Sequence, residues 1–253
     1  MKSHCTIPTL CIGKHFAVFD FDGTIFRSPA PNPNVHDKRL FRQLDQPCPH
    51  GLGWFQHLAT LSPPFVPESP HPTSSWYVQE VVAAMHKRRA DGDVIIVLTG
   101  RDEKFRQRVE HLASLVGVTV DIVMLKPTET YGTVKYKIEA LAQLMIDGKP
   151  LSITYYEDRP QQGERLLSCM QYVTNGTPVV PHRDSWLANY EPIGRIRTVL
   201  GAKAFPFQLV MVPGPEAHLD EAVERQLVAV LAQDAERGLA SSQHEGLRSK
   251  HTR

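Results

Sequence analysis

Along this chain, short and nearly unbroken apolar runs alternate with stretches in which apolar residues return every three or four positions. The first pattern reads as strands covered on both faces and the second as amphipathic helices. Their alternation predicts an α/β domain built on a Rossmann-like, mainly parallel sheet with helices on both faces. Strands are expected over residues 15–19, 93–98, 118–125 and 151–156, with a further apolar segment at 207–212. Helices are expected over 75–90, with Ser74 or Ser75 as its cap, and over 103–116, 134–146 (closed by Gly148) and 161–170. A last helix is expected over 219–232, where Val223, Leu227, Val230 and Leu231 share one face.

Residues 27–75 break this rhythm. Prolines crowd the stretch from Pro29 to Pro72 and exclude long helices and central strands, while Leu52, Trp54, Phe55 and Leu58 call for some packing. The expected organisation is therefore one domain over 1–198 carrying a proline-rich, ordered but irregular insert at 27–75. A strand–helix appendage follows at 199–235, and a polar tail without fixed structure at 236–253.

Composition narrows the partners. The 253 residues carry a formal net charge of +1, which gives no global attraction to nucleic acid or membrane. The four cysteines, Cys5, Cys11, Cys48 and Cys169, are scattered and form no CxxC pair, so a reducing intracellular compartment, cytoplasmic or nuclear, is expected. Neither a signal peptide nor a membrane-spanning run is read from the sequence, and no membrane partner is expected.

The candidate chemistry gathers at strand ends. Asp20 and Asp22 follow the first strand, two residues apart and so expected on one face, and Gly23 permits a sharp turn. Thr99, Gly100 and Arg101 end the second strand. Lys126, Lys135 and Lys137 lie ahead of the fourth, which ends in Glu157, Asp158 and Arg159. In a doubly wound sheet these ends share one edge, where such folds bind ligands. A carboxylate can attack phosphorus, a second can shuttle a proton, and a hard cation with a lysine and a hydroxyl can neutralise the transferring group. Taken singly each piece has a plainer role: an acid in a turn, a strand-to-helix turn, a solvated lysine, an acid at a helix start. Their conjunction in chain order carries the reading.

The motifs Phe19-Asp20-Phe21-Asp22-Gly23-Thr24, Leu98-Thr99-Gly100, an intervening lysine and Tyr156-Glu157-Asp158 resemble the four motifs of the haloacid dehalogenase-like (HAD) superfamily. More narrowly, Gly53-Trp54, Pro63-Pro64-Phe65-Val66-Pro67, Leu125-Lys126-Pro127 and Thr133-Val134-Lys135-Tyr136-Lys137 are similar to the HAD domain of "Swiss Army Knife" RNA repair-like proteins. The resemblance implies a HAD-type fold without a large cap and an aspartyl-phosphate phosphatase. Asp20 is then the nucleophile and Asp22 the general acid/base; Thr99 contacts the phosphoryl group, and Lys137, with Lys126 as the alternative, stabilises it. Magnesium is implied on Asp20, Asp22 (through its carbonyl), Glu157 and Asp158, and substrate contacts on Gly100, Arg101, Lys126 and Arg159. Asp22 implies a phosphatase or phosphotransferase, because dehalogenases of the family lack that acid. The chain departs from the pattern at Glu157, where many relatives have Asp, and at Pro160-Gln161-Gln162-Gly163, where the subgroup is expected to place a histidine.

The substrate expected from the resemblance is a phosphorylated RNA or DNA end. Trp54, Phe55, Phe65, Trp76 and Tyr77 are candidates for stacking bases, with His86-Lys87-Arg88-Arg89 and Arg101 supplying charge. A phosphatase of small metabolites or phosphoproteins is one alternative, and a non-catalytic HAD scaffold that binds RNA or protein is another. The sequence fixes no oligomeric state.

Overall fold

The computed structural model describes residues 7–48, 50–127, 132–176, 182–201, 205–212, 214 and 217–249, without the side chains of 182–183 and 238–249. The chain divides into two compact units: Met1–Arg27 with Pro70–Pro215, and Ser28–Ser69 with Glu216–Arg253.

The first unit is a five-stranded sheet, all parallel, in the order β3-β2-β1-β4-β5. Its strands are β1 (His15–Phe19), β2 (Val94–Asp102), β3 (Ile122–Lys126), β4 (Ser152–Glu157) and β5 (Phe207–Met211). After α1 (Lys38–Asp45), which belongs to the second unit, the helices are α2 (Gln79–Ala90), α3 (Arg106–Ser114), α4 (Thr133–Gly148), α5 (Pro160–Asn175) and α6 (Pro192–Leu200). Strand alternation sets the two faces. Phe16, Val18, Ile96, Leu98, Ile153 and Tyr155 join one core with α4, α5 and α6. Phe19 and Tyr156 point to the other face and stack at 4.3 Å, and Arg88 of α2 donates to the Tyr156 hydroxyl at 3.1 Å.

The elements follow the hydrophobic pattern, with differences at their ends. β2 runs four residues past its apolar run, through Thr99-Gly100-Arg101-Asp102, with a register shift against β3 between Leu98 and Asp102. α2 starts at Gln79 with neither Ser74 nor Ser75 as its cap, because an antiparallel bridge between Phe26 and Tyr77 keeps the preceding backbone extended. α4 continues through Gly148, and Lys149 takes the left-handed closing position (φ 45°). α5 starts on Pro160, whose missing N–H suits a first helical turn, and ends at Gly176 in the left-handed region. β5, expected within an appendage, pairs with β4 from Ile153↔Phe207 to Glu157↔Met211 and so extends the sheet.

The second unit is built from the proline-rich insert and the last helix. It holds α1 (Lys38–Asp45), 3₁₀ turns at Trp54–Gln56 and Leu58–Leu61, and α7 (Glu221–Ser249). Asp37 caps α1, accepting from the backbone N–H groups of Arg39 and Leu40 at 2.8 Å. Leu44, Trp54, Phe65, Leu227 and Leu231 form one buried cluster. The Trp54 indole N–H donates to the Pro29 carbonyl at 2.7 Å, which satisfies its buried polar edge. The apolar stripe of the last helix thus supplies the partner that the insert's own aromatics need. α7 runs beyond residue 236, into the segment expected to lack fixed structure; Ala, Glu, Gln and Leu, all good helix formers, populate that stretch.

Leu231 is fully buried in this cluster. Leu231→Ala is expected to destabilise the second unit by roughly 2–5 kcal/mol, read as a lower urea midpoint for the change in tryptophan emission.

Candidate active site

The strand order creates the site. From β1 the chain moves outward to β2 and β3, then returns to the other side of β1 for β4 and β5. Connections leaving β1 and β4 therefore diverge, and a crevice opens beyond their carboxyl ends. Phe19 and Tyr156 are register partners, so the next residues, Asp20 and Glu157, emerge side by side.

One buried ammonium stands between them. Lys137 Nζ lies 3.0 Å from Asp20 Oδ1 and 3.0 Å from Glu157 Oε2. It comes from the second turn of α4, and all three residues are at most 3% exposed. Burial favours loss of the lysine proton, but the two carboxylates outweigh it and push Lys137 above its usual range. Lys126, by contrast, ends β3 in register with Asp102. Lys135 lies 4.0 Å from Glu139 and places its ammonium over the Trp186 ring. Of the three candidate lysines, Lys137 is the one placed against Asp20.

Glu157 is fully buried and heavily engaged. Its Oε2 accepts from Lys137, from the Tyr155 hydroxyl at 3.2 Å and from Gln162 Nε2 at 2.8 Å, while Oε1 accepts from the Arg159 backbone N–H at 3.2 Å. These donors outweigh its burial and hold Glu157 below the usual carboxylate range. Tyr155 and Gln162 were missed as site residues. Tyr155 reads as another apolar strand position, and no sequence spacing ties Gln162 to Glu157. Gln162 occupies the segment where the subgroup was expected to carry a histidine, and its amide braces an acid there.

Asp158 is half-buried and joins Asp20 and Glu157 in a cluster whose oxygens all lie within 4.8 Å of one another. Burial and the neighbouring Glu157 push Asp158 up, against the pull of Arg159. Asp20 is likewise pushed up: burial comes first, Lys137 opposes it, and Glu157 and Asp158 add to it. Gly23 (φ +74°) makes room for this cluster, since a Cβ there would come within 2.0 Å of Asp158 Oδ2. The Thr24 hydroxyl donates to Asp158 Oδ1 at 3.4 Å, a contact between residues 134 apart in sequence.

Asp22 faces a different neighbour. Arg101, 2% exposed, forks onto it with Nε at 3.1 Å from both oxygens and a terminal nitrogen at 2.8 Å from Oδ1. The guanidinium also lies 4.8 Å over the Phe105 ring. The Thr99 hydroxyl donates to Asp22 Oδ2 at 3.4 Å and accepts from the Arg101 backbone N–H at 3.1 Å. The extension of β2 past Leu98 delivers Thr99 and Arg101 to this edge. A Cβ on Gly100 would meet the Thr133 methyl at 2.7 Å, so the strand passes close to the start of α4 there. Arg159, expected to contact substrate, is exposed beside the acids.

With this geometry in place, comparison with known proteins decides the family. Residues 28–237 match HAD domain family 1 of Swiss Army Knife RNA repair proteins. The chain belongs to this HAD family. The matched span contains Thr99, Lys137, Glu157 and Asp158, and begins downstream of Asp20 and Asp22. The chain is also similar to the uncharacterized protein YMR265C of Saccharomyces cerevisiae, at 32% identity over 96 residues, 37% of this chain and 21% of that protein. The match thus spans about a fifth of the length of that relative. No solved structure matches the chain. Among the described residues, no helix is long and apolar enough to cross a membrane.

Lys137→Met removes the ammonium and leaves Asp20 and Glu157 buried without a counterion. It is expected to cost about 3–5 kcal/mol of stability, measured by chemical denaturation at neutral pH.

Proposed function

We propose that this HAD-family chain is a magnesium-dependent phosphohydrolase that works through an aspartyl-phosphate on Asp20. The observation that carries the reading is the meeting, at one sheet edge, of Asp20 and Lys137 with the acidic pair at the end of β4 and with the Asp22–Thr99–Arg101 group. The donor set fits a hard divalent cation: three clustered carboxylates, two of them pushed upward by burial and by the neighbouring acids. Asp20 and Asp158 are the ligands with most freedom to serve, because Glu157 is already committed to Lys137, Tyr155 and Gln162. Bound there, magnesium would reduce the repulsion between the Asp20 carboxylate and an anionic phosphoryl group.

The side chains then divide the work. An Asp20 oxygen attacks phosphorus as the bond to the leaving oxygen breaks, and Asp22 supplies the proton that oxygen takes. Asp22 next takes a proton from water, whose oxygen attacks phosphorus and returns Asp20 to its carboxylate. To carry the first proton Asp22 has to share Arg101, and the phosphoryl oxygens compete for the same guanidinium. Lys137 offsets charge on Asp20 throughout, and Thr99 is placed to donate to the phosphoryl group.

A phosphorylated RNA or DNA end is the proposed substrate, supported by the family's description as RNA repair proteins. The side chains singled out for base stacking do not add to this. Trp54, Phe65 and Tyr77 are buried, and Trp76 stacks on Phe26 at 5.8 Å. Arg88 is engaged with Tyr156, Thr154 and Asp93, and Arg89 with Thr119 and Asp121.

Hydrolysis of an aryl phosphate is expected to require magnesium and to fall by about a thousandfold or more in Asp20→Asn, as for loss of a covalent nucleophile. Full turnover in that variant, or none in the wild type, would sink the catalytic reading. Oligonucleotides with 3′- or 5′-terminal phosphates are expected to be cleaved faster than free nucleotides; equal rates would favour small metabolites.

A further inference from the structure

The second unit holds a cluster of reactive side chains that the proposed phosphatase site does not use. Cys48 follows α1, His57 closes the 3₁₀ turn at Trp54–Gln56, and Asp234 sits on α7. Cys48 Sγ lies 3.9 Å from His57 Nε2, and the opposite ring nitrogen, Nδ1, lies 3.8 Å from Asp234 Oδ2. A nucleophile, a base and a carboxylate are thus arranged in line, with the imidazole in the middle. Apo sites of this kind are commonly looser than the distances of a closed hydrogen bond.

The arrangement rests on packing. Leu227 and Leu231 lock α7 into the cluster with Leu44 and Trp54, and Asp234 lies on the same helical face, at i+7 and i+3 from them. The Cys48 backbone N–H donates to Gln56 Oε1 at 2.7 Å, which fixes the cysteine beside the turn that carries His57. Gly53, at φ +57°, lets that turn approach: a Cβ there would come within 3.0 Å of the sulfur. Cys48 keeps partial access to solvent, whereas Cys11 and Cys169 are buried.

The geometry excludes a shared metal. Cys48 and Asp234 face opposite nitrogens of one ring, and among the described residues the metal-type grouping of three ligand atoms is Asp20, Glu157 and Asp158. It also argues against acyl transfer through an oxyanion hole at Cys48, because the amide that would serve is taken by Gln56. What remains is a thiol able to pass its proton to an imidazole whose cationic form is stabilised by a carboxylate. Arg237 Nη1, 3.7 Å from Asp234 Oδ1, also faces that carboxylate.

We propose that Cys48 is a reactive thiolate, paired with His57 and Asp234, and a site of oxidation by hydrogen peroxide. The thiol proton moves to His57 Nε2, and the sulfur then attacks one peroxide oxygen. The S–O bond forms as the O–O bond breaks, and the departing hydroxide takes the proton from His57 and leaves as water. Sulfur is oxidised by two electrons, peroxide is reduced by two, and the product is the Cys48 sulfenic acid.

The test uses the full chain with limiting peroxide at pH 6. Sulfenic acid is trapped by dimedone and quantified on the Cys48 peptide by mass spectrometry. At this pH an ordinary thiol is almost wholly protonated; a paired thiolate gains in abundance and gives part of that back in lower nucleophilicity. Cys48 in the folded protein is therefore expected to react about tenfold faster than the same residue in the urea-unfolded chain. His57→Asn is expected to remove that gain. Equal rates in the folded and unfolded chains overturn the proposal, as does a folded His57→Asn protein that keeps the wild-type rate. If His57→Asn does not fold, Asp234→Asn, a change at a half-exposed helix position, takes its place. Its expected loss is about threefold, and an unchanged rate overturns the proposal.

Discussion

A single buried ammonium governs the sheet edge that carries the candidate site. Parallel pairing of β1 with β4 brings Asp20 and Glu157 out as neighbours, and two such buried carboxylates repel strongly in a medium of low polarity. Lys137, at 3.0 Å from each, makes their proximity tolerable. Its demand runs back through the structure. α4 has to start where it does to send Lys137 inward, and its first residue, Thr133, leaves no room for a Cβ at Gly100 of β2. Glu157 then needs Tyr155 and Gln162 to complete its bonding, which leaves Asp158 as the less encumbered acid of the pair.

Much of this was legible beforehand, for identifiable reasons. β1, β2 and β4 are covered on both faces, so their apolar runs announce them; the polar end of β2 does not, because Thr99-Gly100-Arg101 also suits a turn. Asp20, Thr99 and Glu157 stand beside those runs and were readable with them. The choice of lysine became physical only through the pitch of α4. Arg101 was legible as a charge near the site, but its partner was not: it is spent on Asp22, a pairing that joins residues 79 apart in sequence. The aromatics named as candidates for base stacking are occupied otherwise, and Trp54 packs as its place among Leu52, Phe55 and Leu58 suggests. Trp54 and Tyr77 have the composition of a stacking surface, yet their polar edges are satisfied inside, on the Pro29 and Leu112 carbonyls.

The C-terminal segment shows where periodicity stops informing. It predicted a strand and a helix with an apolar face, and both exist. What periodicity could not state is that the two serve different cores, β5 extending the sheet beside β4 and α7 completing the cluster around Trp54. The decisive quantity is the unmatched apolar surface of the insert, which is a property of two distant segments together.

That divided origin has a consequence for synthesis. The insert closes at Ser69 and its partner segment opens at Glu216, about 150 residues later (216 − 69 = 147). At roughly 5–20 residues per second, Trp54 and Phe65 leave the ribosome on the order of ten to thirty seconds before the helix that covers them. During that interval the insert lacks Leu227 and Leu231 as partners, while β2, β3, β4 and β5 are being made. The order of synthesis therefore sets when this cluster can form: the second unit closes only after β5 and the helix that follows it have been made.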